Sequence, residues 1–381
     1  VSTPQHRAAA PRLVRAQRHH VTQLLAIEQL SFTTDRLSRR SFLRFIDQQI
    51  GDFYVLQSTD DTVLGYAIVL YRQGTRLARL YSMAVHPDYR RRGYGTQLLH
   101  FAEDAAEQHH SLFMRLEVQV DNQAALALYH GHGFADIDMR HEYYDDNSDA
   151  LILQKLLPSY ESGPDVVPHS ERMVPYLTQS TDFTCGPASL LMALAHFGKP
   201  SLDPHHDELE IWREATTIYM TSGHGGCGPH GLARAALRRG LQVRVQVSEK
   251  GPLLLDSVRS EEKKQVMARI QEADIQALQQ AKVPIVVGDY DITRLRKDLA
   301  AGRLVIALIS TYVFDNLRAP HWVLVCAADD EFIYINDPDQ DTLPWQSPSE
   351  RQYLPVPHAT FNKAFGFGGR KQKAAVVIGI D

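Results

Sequence analysis

Two short stretches of this chain carry residue types able to do covalent and acid–base chemistry. In the first, the strand-like segment ending at Val85 runs through His86-Pro87-Asp88-Tyr89 into Arg90, Arg91, Arg92, Gly93, Tyr94, Gly95 and Thr96. A diphosphate needs several backbone N–H donors aimed at one point and side chains small enough to let it approach them. The amides from Arg91 to Thr96 meet the first need as they open a helix, and Gly93 and Gly95 meet the second. A Gly-x-Gly alone is weak evidence. Its weight comes from the strand before it, the helix after it and the three arginines around it.

The second stretch is Asp182-Phe183-Thr184-Cys185-Gly186-Pro187-Ala188. A thiol becomes a good nucleophile where an imidazole and a helix N-terminus both favour its thiolate, and proline suits a first helical turn. The base must come from elsewhere. His321 precedes the apolar run Trp322-Val323-Leu324-Val325, and Asp337-Pro338 follows Phe332 to Ile335, so two adjacent strands can present imidazole and carboxylate side by side. Gln179, six residues before the thiol, can supply an amide donor to an oxyanion.

On these residues the first half resembles the GNAT acetyltransferases, whose signature of Arg or Gln, two residues, Gly, one residue, then Gly or Ala is met from Arg90 to Gly95. Ile27-Glu28, Leu116-Glu117-Val118, Asp121-Asn122, Ala127-Leu128-Tyr129, Gly133-Phe134, Tyr143-Tyr144 and Asp149-Ala150 extend the likeness to the ribosomal-protein-alanine acetyltransferase branch, over about residues 11 to 157. The resemblance implies acetyl-coenzyme A as cofactor and a pantetheine arm bound by the backbone of Met83, Ala84 and Val85. It further implies Glu117 as the group that takes the amine's proton through water, Tyr129 as the acid toward the departing thiolate, and Asn122 near the cofactor. The loop after Phe32 reads Thr33-Thr34-Asp35-Arg36, without the tryptophan of the ribosomal enzyme, which leaves the acceptor's identity open.

The second half, about Val174 to Ile380, resembles the papain-like C39 peptidases. That resemblance assigns the nucleophile to Cys185, the base to His321, the orienting carboxylate to Asp337 and the oxyanion donor to Gln179. Phytochelatin-synthase-like transpeptidases share the plan. Neither a nucleotide-binding cassette nor a membrane span accompanies it, so leader export is not expected.

Periodicity supplies the elements that must position these groups. Strands are expected at Pro11 to Arg15, Phe53 to Gln57, Val63 to Tyr71, Ala78 to Val85 and Arg115 to Val120. Helices are expected through Val21, Leu24, Leu25, Ile27 and Leu30, through Leu98 to Ala106, and from Ala124 to Tyr129. The order strand, glycine loop, helix, strand is an α/β unit. After Leu157 to Asp165, rich in Pro and Gly, helices follow at Pro187 to Phe197, His230 to Arg239, Ser257 to Gln280 and Asp291 to Ala301. Strands come last, at Arg303 to Ser310, Trp322 to Ala327, Phe332 to Ile335 and Ala374 to Ile380. The expected architecture is therefore a GNAT fold with a mixed central sheet over residues 1–157, a linker over 158–172 and an α+β papain-like domain over 173–381.

Composition bounds the remainder. With 40 Lys and Arg against 45 Asp and Glu over 381 residues, the net charge is −5, which argues against a nucleic-acid surface. No apolar run approaches the roughly 20 residues that cross a bilayer, and Val1 to Arg18 lacks the hydrophobic stretch of a secretion signal. Three scattered cysteines build no disulfide framework, so a reducing cytoplasm is expected. His224-Gly225-Gly226-Cys227-Gly228-Pro229-His230 is read as a loop feeding a helix and not as a metal site, because structural zinc wants four closed ligands. The pairs His19-His20, His109-His110 and His205-His206 are read as exposed, and Cys326 as core. The expectation is a bifunctional N-acetyltransferase and cysteine peptidase acting on peptides or proteins. The alternatives are a C39-like unit that only binds peptides and a GNAT unit that senses coenzyme A.

Overall fold

A computed structural model describes residues 10–160, 174–217, 225–340 and 343–380. Backbone contacts divide the chain into two compact units, one of residues 1–72 and 76–163 and the other of residues 73–75 and 164–381. Part of the expected linker, and His224, lie outside the described residues.

The first unit runs β1 (Arg12–Arg15), α1 (Val21–Ser31), α2 (Arg39–Asp47), β2 (Asp52–Gln57), β3 (Val63–Tyr71), β4 (Leu77–Val85), α3 (Tyr94–Gln108), β5 (Phe113–Gln119), α4 (Gln123–Gly131), β6 (Ala135–Arg140) and β7 (Ala150–Leu156). Among the described residues its strands form one sheet in the order β1-β2-β3-β4-β5-β7-β6. All neighbours are antiparallel except β4 and β5. That parallel pairing spans only Leu77 to Arg79 against Phe113 to Arg115, although both strands continue. Beyond it the two strands part, and the peptide groups of Met83, Ala84 and Val85 find ladder partners only on β3.

Alternation sorts the sheet's two faces. Met114, Leu116 and Val118 join Leu98, Leu99, Ala102 and Ala106 of α3 in one core cluster. Arg115 and Glu117 therefore point to the opposite face. Helix α2 was not evident from periodicity, yet Ser38 caps it and it buries Phe42 and Phe45. Two expectations fail here. Leu30 is 57% exposed, since α1 turns its last apolar residue outward, whereas His20 is buried and its Nδ1 accepts from the Gln17 amide at 3.0 Å.

The second unit runs α5 (Cys185–His196), α6 (Pro204–Ala215), α7 (Pro229–Arg238), β8 (Gln242–Val247), α8 (Glu261–Gln280), β9 (Ile285–Val287), α9 (Ile292–Ala300), β10 (Leu304–Ser310), α10 (Tyr312–Asp315), β11 (Pro320–Ala328), β12 (Phe332–Asn336), β13 (Leu354–Pro357), α11 (His358–Ala364) and β14 (Ala374–Gly379). Its sheet has the order β13-β12-β11-β10-β14-β8-β9. Helices and strands thus alternate more than expected. The unread strand β8 shows why: Gln242-Val243-Arg244-Val245-Gln246-Val247 alternates polar and β-branched residues, a strand pattern placed among helices.

All residues of α5 from Cys185 to Leu194 are buried. Its start is pressed against α7 and β11: a Cβ on Gly186 would lie 2.9 Å from Leu232 Cδ1 and 3.3 Å from Trp322 Cδ1. A larger residue there would have to displace the Leu232 side chain.

His230, in the first turn of α7, is 1% exposed, and its Nδ1 has no hydrogen-bond partner among the described residues. Burial pushes its pKa down to about 4. An unfolded histidine titrates near 6.5, so between these values the unfolded chain binds the extra proton. The stability the neutral ring contributes is complete above about pH 6.5 and is lost as the pH falls toward 4, by about 3 kcal/mol. We expect His230→Leu to remove this component. Urea midpoints at pH 7.5 and pH 4.5 should then differ less than in the wild type.

Candidate active sites

The first candidate site lies where β4 and β5 part. His86 leads through the turn Pro87–Tyr89 into a loop in which Arg91 (φ +61°) and Gly93 (φ +81°) are both left-handed. The first helical bond of α3 runs from Gln97 N to Gly93 O at 3.0 Å, so the amides of Tyr94, Gly95 and Thr96 precede the helix's own bonding. Such donors suit a diphosphate. The three arginines differ in what they do. Arg90 ties the loop back, donating from Nε to Val85 O and from Nη2 to Ser31 Oγ, both at 3.2 Å. Arg92 lies over the Tyr89 ring at 5.3 Å, and Arg91 is exposed.

A Cβ on Gly95 would meet Leu128 Cδ2 at 3.4 Å, an ordinary contact, while one on Gly93 meets nothing within 4 Å. The protein therefore tolerates a methyl group at 95, and a diphosphate lying on the amides would not. Gly95→Ala should raise KM for acetyl-coenzyme A by about tenfold or more, worth about 1.4 kcal/mol of binding, with a melting temperature near that of the wild type. Isothermal titration with coenzyme A checks the first part and calorimetry the second.

Glu117 sits on β5, on the face opposite the α3 core, and its Oε2 accepts from Arg79 Nε at 2.9 Å. Both side chains are only 5% exposed. Arg79 Nη2 also donates to Tyr143 Oη at 3.2 Å. Tyr144 next door has its hydroxyl held far above its ordinary pKa by burial, with Glu117, Tyr143, Asp35 and Tyr129 adding to the effect. Glu117 and Tyr129 thus surround one tyrosine. Tyr129 is itself buried, which raises its pKa and keeps the phenol protonated. Asn122 caps α4, its Oδ1 accepting from Ala125 N at 3.1 Å, so a helix-capping duty accompanies any contact with a cofactor.

Glu28, from α1, holds the neighbouring loop by accepting from Leu37 N at 2.7 Å and from the Tyr66 hydroxyl. Asp35 Oδ2 accepts from Asp145 N at 3.1 Å, which joins this loop to the one between β6 and β7 that carries Tyr143 and Tyr144.

The second candidate site is built at one end of the other sheet. Cys185 is the first residue of α5, and the turn before it is held by Thr181 and Thr184 and by Ser180 N donating to the buried Glu208 at 2.8 Å. His321 opens β11 and Asp337 follows β12, its antiparallel neighbour. His321 Nε2 and Asp337 Oδ1 are 2.8 Å apart, and Cys185, His321 and Asp337 are each 7% exposed. With Nε2 engaged, Nδ1 is the ring nitrogen left for the thiol. Burial penalises the charged imidazole, but the Cys185 charge and the hydrogen bonds to Asp337 and Cys185 outweigh it and hold its pKa well above 6.5. A charged imidazole beside sulfur favours the thiolate.

Burial, together with the charges of Cys185 and Asp274, pushes the Cys227 thiol well up, and burial does the same for Cys326. The Cys227 carbonyl accepts from Trp322 Nε1 at 3.0 Å. Gln179 is fixed by its backbone: its N donates to Pro338 O at 2.7 Å and its O accepts from Gln340 Nε2 at 3.0 Å. Its side-chain Oε1 is buried without a partner among the described residues. Among those residues no group of His, Cys, Asp and Glu is arranged to hold a metal, and no helix is long and apolar enough to cross a membrane.

Three residues of these sites escaped sequence reasoning. Arg79 pairs with Glu117, Tyr176 Oη donates to Asp337 O at 2.9 Å, and Arg351 Nη1 donates to Asp337 Oδ2 at 3.1 Å. None lies in a motif. A sequence signal existed only near Arg351, where Ser347 and Glu350 form a capping box.

Comparison with known proteins agrees with the division in two. The Acetyltransferase (GNAT) family model matches residues 21–134, and the Peptidase_C39 like family model matches residues 174–379. The ribosomal protein bS18-alanine N-acetyltransferase of Escherichia coli is 40% identical over 79 residues, which are 20% of this chain and 53% of that protein. The chain thus spans about half the length of that curated relative. An N-alpha-acetyltransferase of Sulfurisphaera tokodaii is 27% identical over 153 residues, 37% of this chain and 90% of that one. Among solved structures, the ribosomal-protein-S18-alanine N-acetyltransferase of Escherichia coli is 26% identical, with a TM-score of 0.35, over 42% of this chain and 99% of that one. GNAT acetyltransferases take their acyl group from acetyl-coenzyme A.

Proposed function

We propose, from the premise that this chain belongs to the Peptidase_C39 like family and carries a GNAT domain ahead of it, that it is a two-headed enzyme of peptide or protein substrates. One head acetylates an amine and the other cleaves a peptide bond through Cys185. The observation that carries the reading is the buried His321–Asp337 pair, at 2.8 Å, whose imidazole also feels the charge of Cys185 at a helix start.

In the thiol head, the Cys185 thiolate attacks the substrate carbonyl carbon. The Gln179 amide donates to the oxygen that becomes negative, and its fixed backbone spares it the cost of reorganising. His321 gives its Nδ1 proton to the departing amine, then takes a proton from the water that releases the acyl group from sulfur. Asp337 holds the ring and stabilises its charged form throughout.

In the transferase head, acetyl-coenzyme A supplies the activated acyl carbon. The edge of Met83, Ala84 and Val85 that faces away from β3 would hold its pantetheine arm, and the amides of Gly93 to Thr96, with Arg91, its diphosphate. Glu117 takes a proton from the acceptor ammonium through water, and Tyr129, kept protonated by burial, donates one to the leaving sulfur. A second reading, in which this unit binds coenzyme A to regulate the peptidase, draws on Arg79 occupying one Glu117 oxygen. The three free cysteines support a reducing compartment.

A peptide library incubated with the protein, with and without acetyl-coenzyme A, tests the reading by mass spectrometry. Acetyl mass gains that need the thioester report one head, and shortened peptides that Cys185→Ala abolishes report the other. Absence of both sinks the proposal. A cleavage rate altered by coenzyme A without any acetyl gain supports the regulatory reading.

A further inference from the structure

The loop after β12 does two jobs at once. Asp337 at its start orients His321, while Pro338 and Gln340 grip the backbone of Gln179, at 2.7 and 3.0 Å. A loop of this composition, Asp337-Pro338-Asp339-Gln340, has no regular ladder to hold it, and it sets the buried Asp337 carboxylate beside that of Asp339, which is 35% exposed. Burying such charges is costly unless a cation meets them with good geometry.

Arg351 meets this need. It is 3% exposed, and one end of its guanidinium, Nη1, donates to Asp337 Oδ2 at 3.1 Å and Asp339 Oδ2 at 3.3 Å. The other end, Nη2, donates to Gln340 O at 2.7 Å. Its own carbonyl accepts from Asp337 N at 2.8 Å. The turn Pro348–Arg351 that delivers it is locked by the Ser347 and Glu350 capping box, with Ser347 N donating to Glu350 Oε2 at 3.0 Å. A planar fork with several fixed donors can bind two carboxylates and a carbonyl together, and an ammonium cannot match that geometry.

We infer that Arg351 is the positioning residue of the thiol site, clasping the Asp337–Gln340 loop so that the carboxylate behind His321 and the oxyanion donor Gln179 are set by one side chain. The inference rests on the thiol-head reading above. It adds that the triad and the oxyanion donor are not independent: loosening the clasp disturbs both. Without the guanidinium, Asp337 loses its fixed oxygen and a buried counter-charge, so its carboxylate turns or takes a proton, and the imidazolium at His321 loses its partner. Asp337 is faced by His321 and Arg351, by the Asp339 amide, which donates to Oδ1 at 3.1 Å, and by the Tyr176 hydroxyl on its carbonyl, while the Asp339 carboxylate shares Arg351 Nη1.

The test is the pH profile of Cys185 alkylation by iodoacetamide in the full chain, located by mass spectrometry, together with peptide cleavage. Arg351→Met is expected to cut the alkylation rate at pH 6 by about tenfold or more and to shift the profile toward that of an ordinary thiol. Peptide cleavage should fall by a larger factor, because the oxyanion donor is disturbed too. Arg351→Lys, which keeps the charge and loses the fork, should recover the alkylation rate more than the cleavage rate. Acetyl transfer by the other unit and the near-ultraviolet circular dichroism serve as controls of folding, and if the Met variant fails them the Lys variant alone decides. A wild-type profile in the folded Met variant, or full recovery of cleavage by Lys, overturns the inference while leaving the thiol-head reading intact. A wild-type Cys185 no more reactive than a free thiol overturns both.

Discussion

Replacing His321 by alanine is expected to lower the rate at which iodoacetamide alkylates Cys185 at pH 6 by about 100-fold, and to remove peptide cleavage almost wholly. The magnitude follows from the thiolate fraction. A free cysteine with pKa near 8.5 is about 0.3% ionised at pH 6, whereas a thiol paired with an imidazolium is largely ionised; the lower intrinsic nucleophilicity of a more acidic thiol returns part of that factor. The imidazole is held in its charged form by the Cys185 charge and by the 2.8 Å bond to Asp337, against the opposing effect of burial. The folded pKa of the imidazole is raised, so its positive charge persists as the pH falls and is lost as the pH rises through that value, while the pair itself also ends where sulfur takes a proton. Wild-type alkylation should accordingly stay fast from pH 8 down to pH 6, and the variant's should fall about tenfold per unit. Parallel profiles for the two proteins would reject a thiolate–imidazolium pair. Cleavage should drop further than alkylation, by about 10⁴-fold, because the imidazole also protonates the leaving amine.

Glu117→Gln is expected to reduce acetyl transfer by about 10² to 10³-fold at saturating substrates, with KM for acetyl-coenzyme A changed by less than about twofold. A glutamine keeps the shape and one acceptor for Arg79 Nε, yet cannot take a proton. In the proposed reading the cofactor would be held by β4 and the start of α3, not by β5, so binding and rate should separate. The same substitution deletes the negative partner of a buried arginine, and a loss of stability of about 3 kcal/mol or more is expected, visible as a lower melting temperature. Arg79→Met makes the companion variant. Should Glu117→Gln transfer acetyl at the wild-type rate, the proton must leave by another route.

The legible part of this protein is its local chemistry. Gly93-Tyr94-Gly95 after an apolar run announces a helix that opens on bare amides, because only small residues leave them accessible, and α3 begins at Tyr94. Cys185-Gly186-Pro187 before an apolar decade announces a thiol at a helix start, and α5 begins at Cys185. Helix and strand positions follow wherever the apolar period is clear, as in α3, α5, β3 and β11, since burial on one face or both leaves that imprint. What periodicity misses is short or polar: α2, with Phe42 and Phe45 buried, and β8, six residues whose strict alternation of polar residues with valine lies among helices.

The pairing of distant charges belongs to tertiary structure alone. Nothing local ties Arg79 to Glu117, which stand 38 residues apart, or Arg351 to Asp337, 14 apart, because an arginine in a strand or turn reads as solvent-exposed until a sheet brings a carboxylate to it. His20 makes the same point in reverse: an imidazole beside another imidazole reads as surface, and is buried because the chain before α1 folds its Gln17 amide onto it. From its residues alone the chain determines which groups are the candidates for nucleophile, base and anion-binding loop, since those depend on residue type and on a helix beginning at a given place. The partners that set the charge and aim of those groups come from the register of β11 against β12 and the parting of β4 from β5, because long-range packing decides which side chains share a site without water between them.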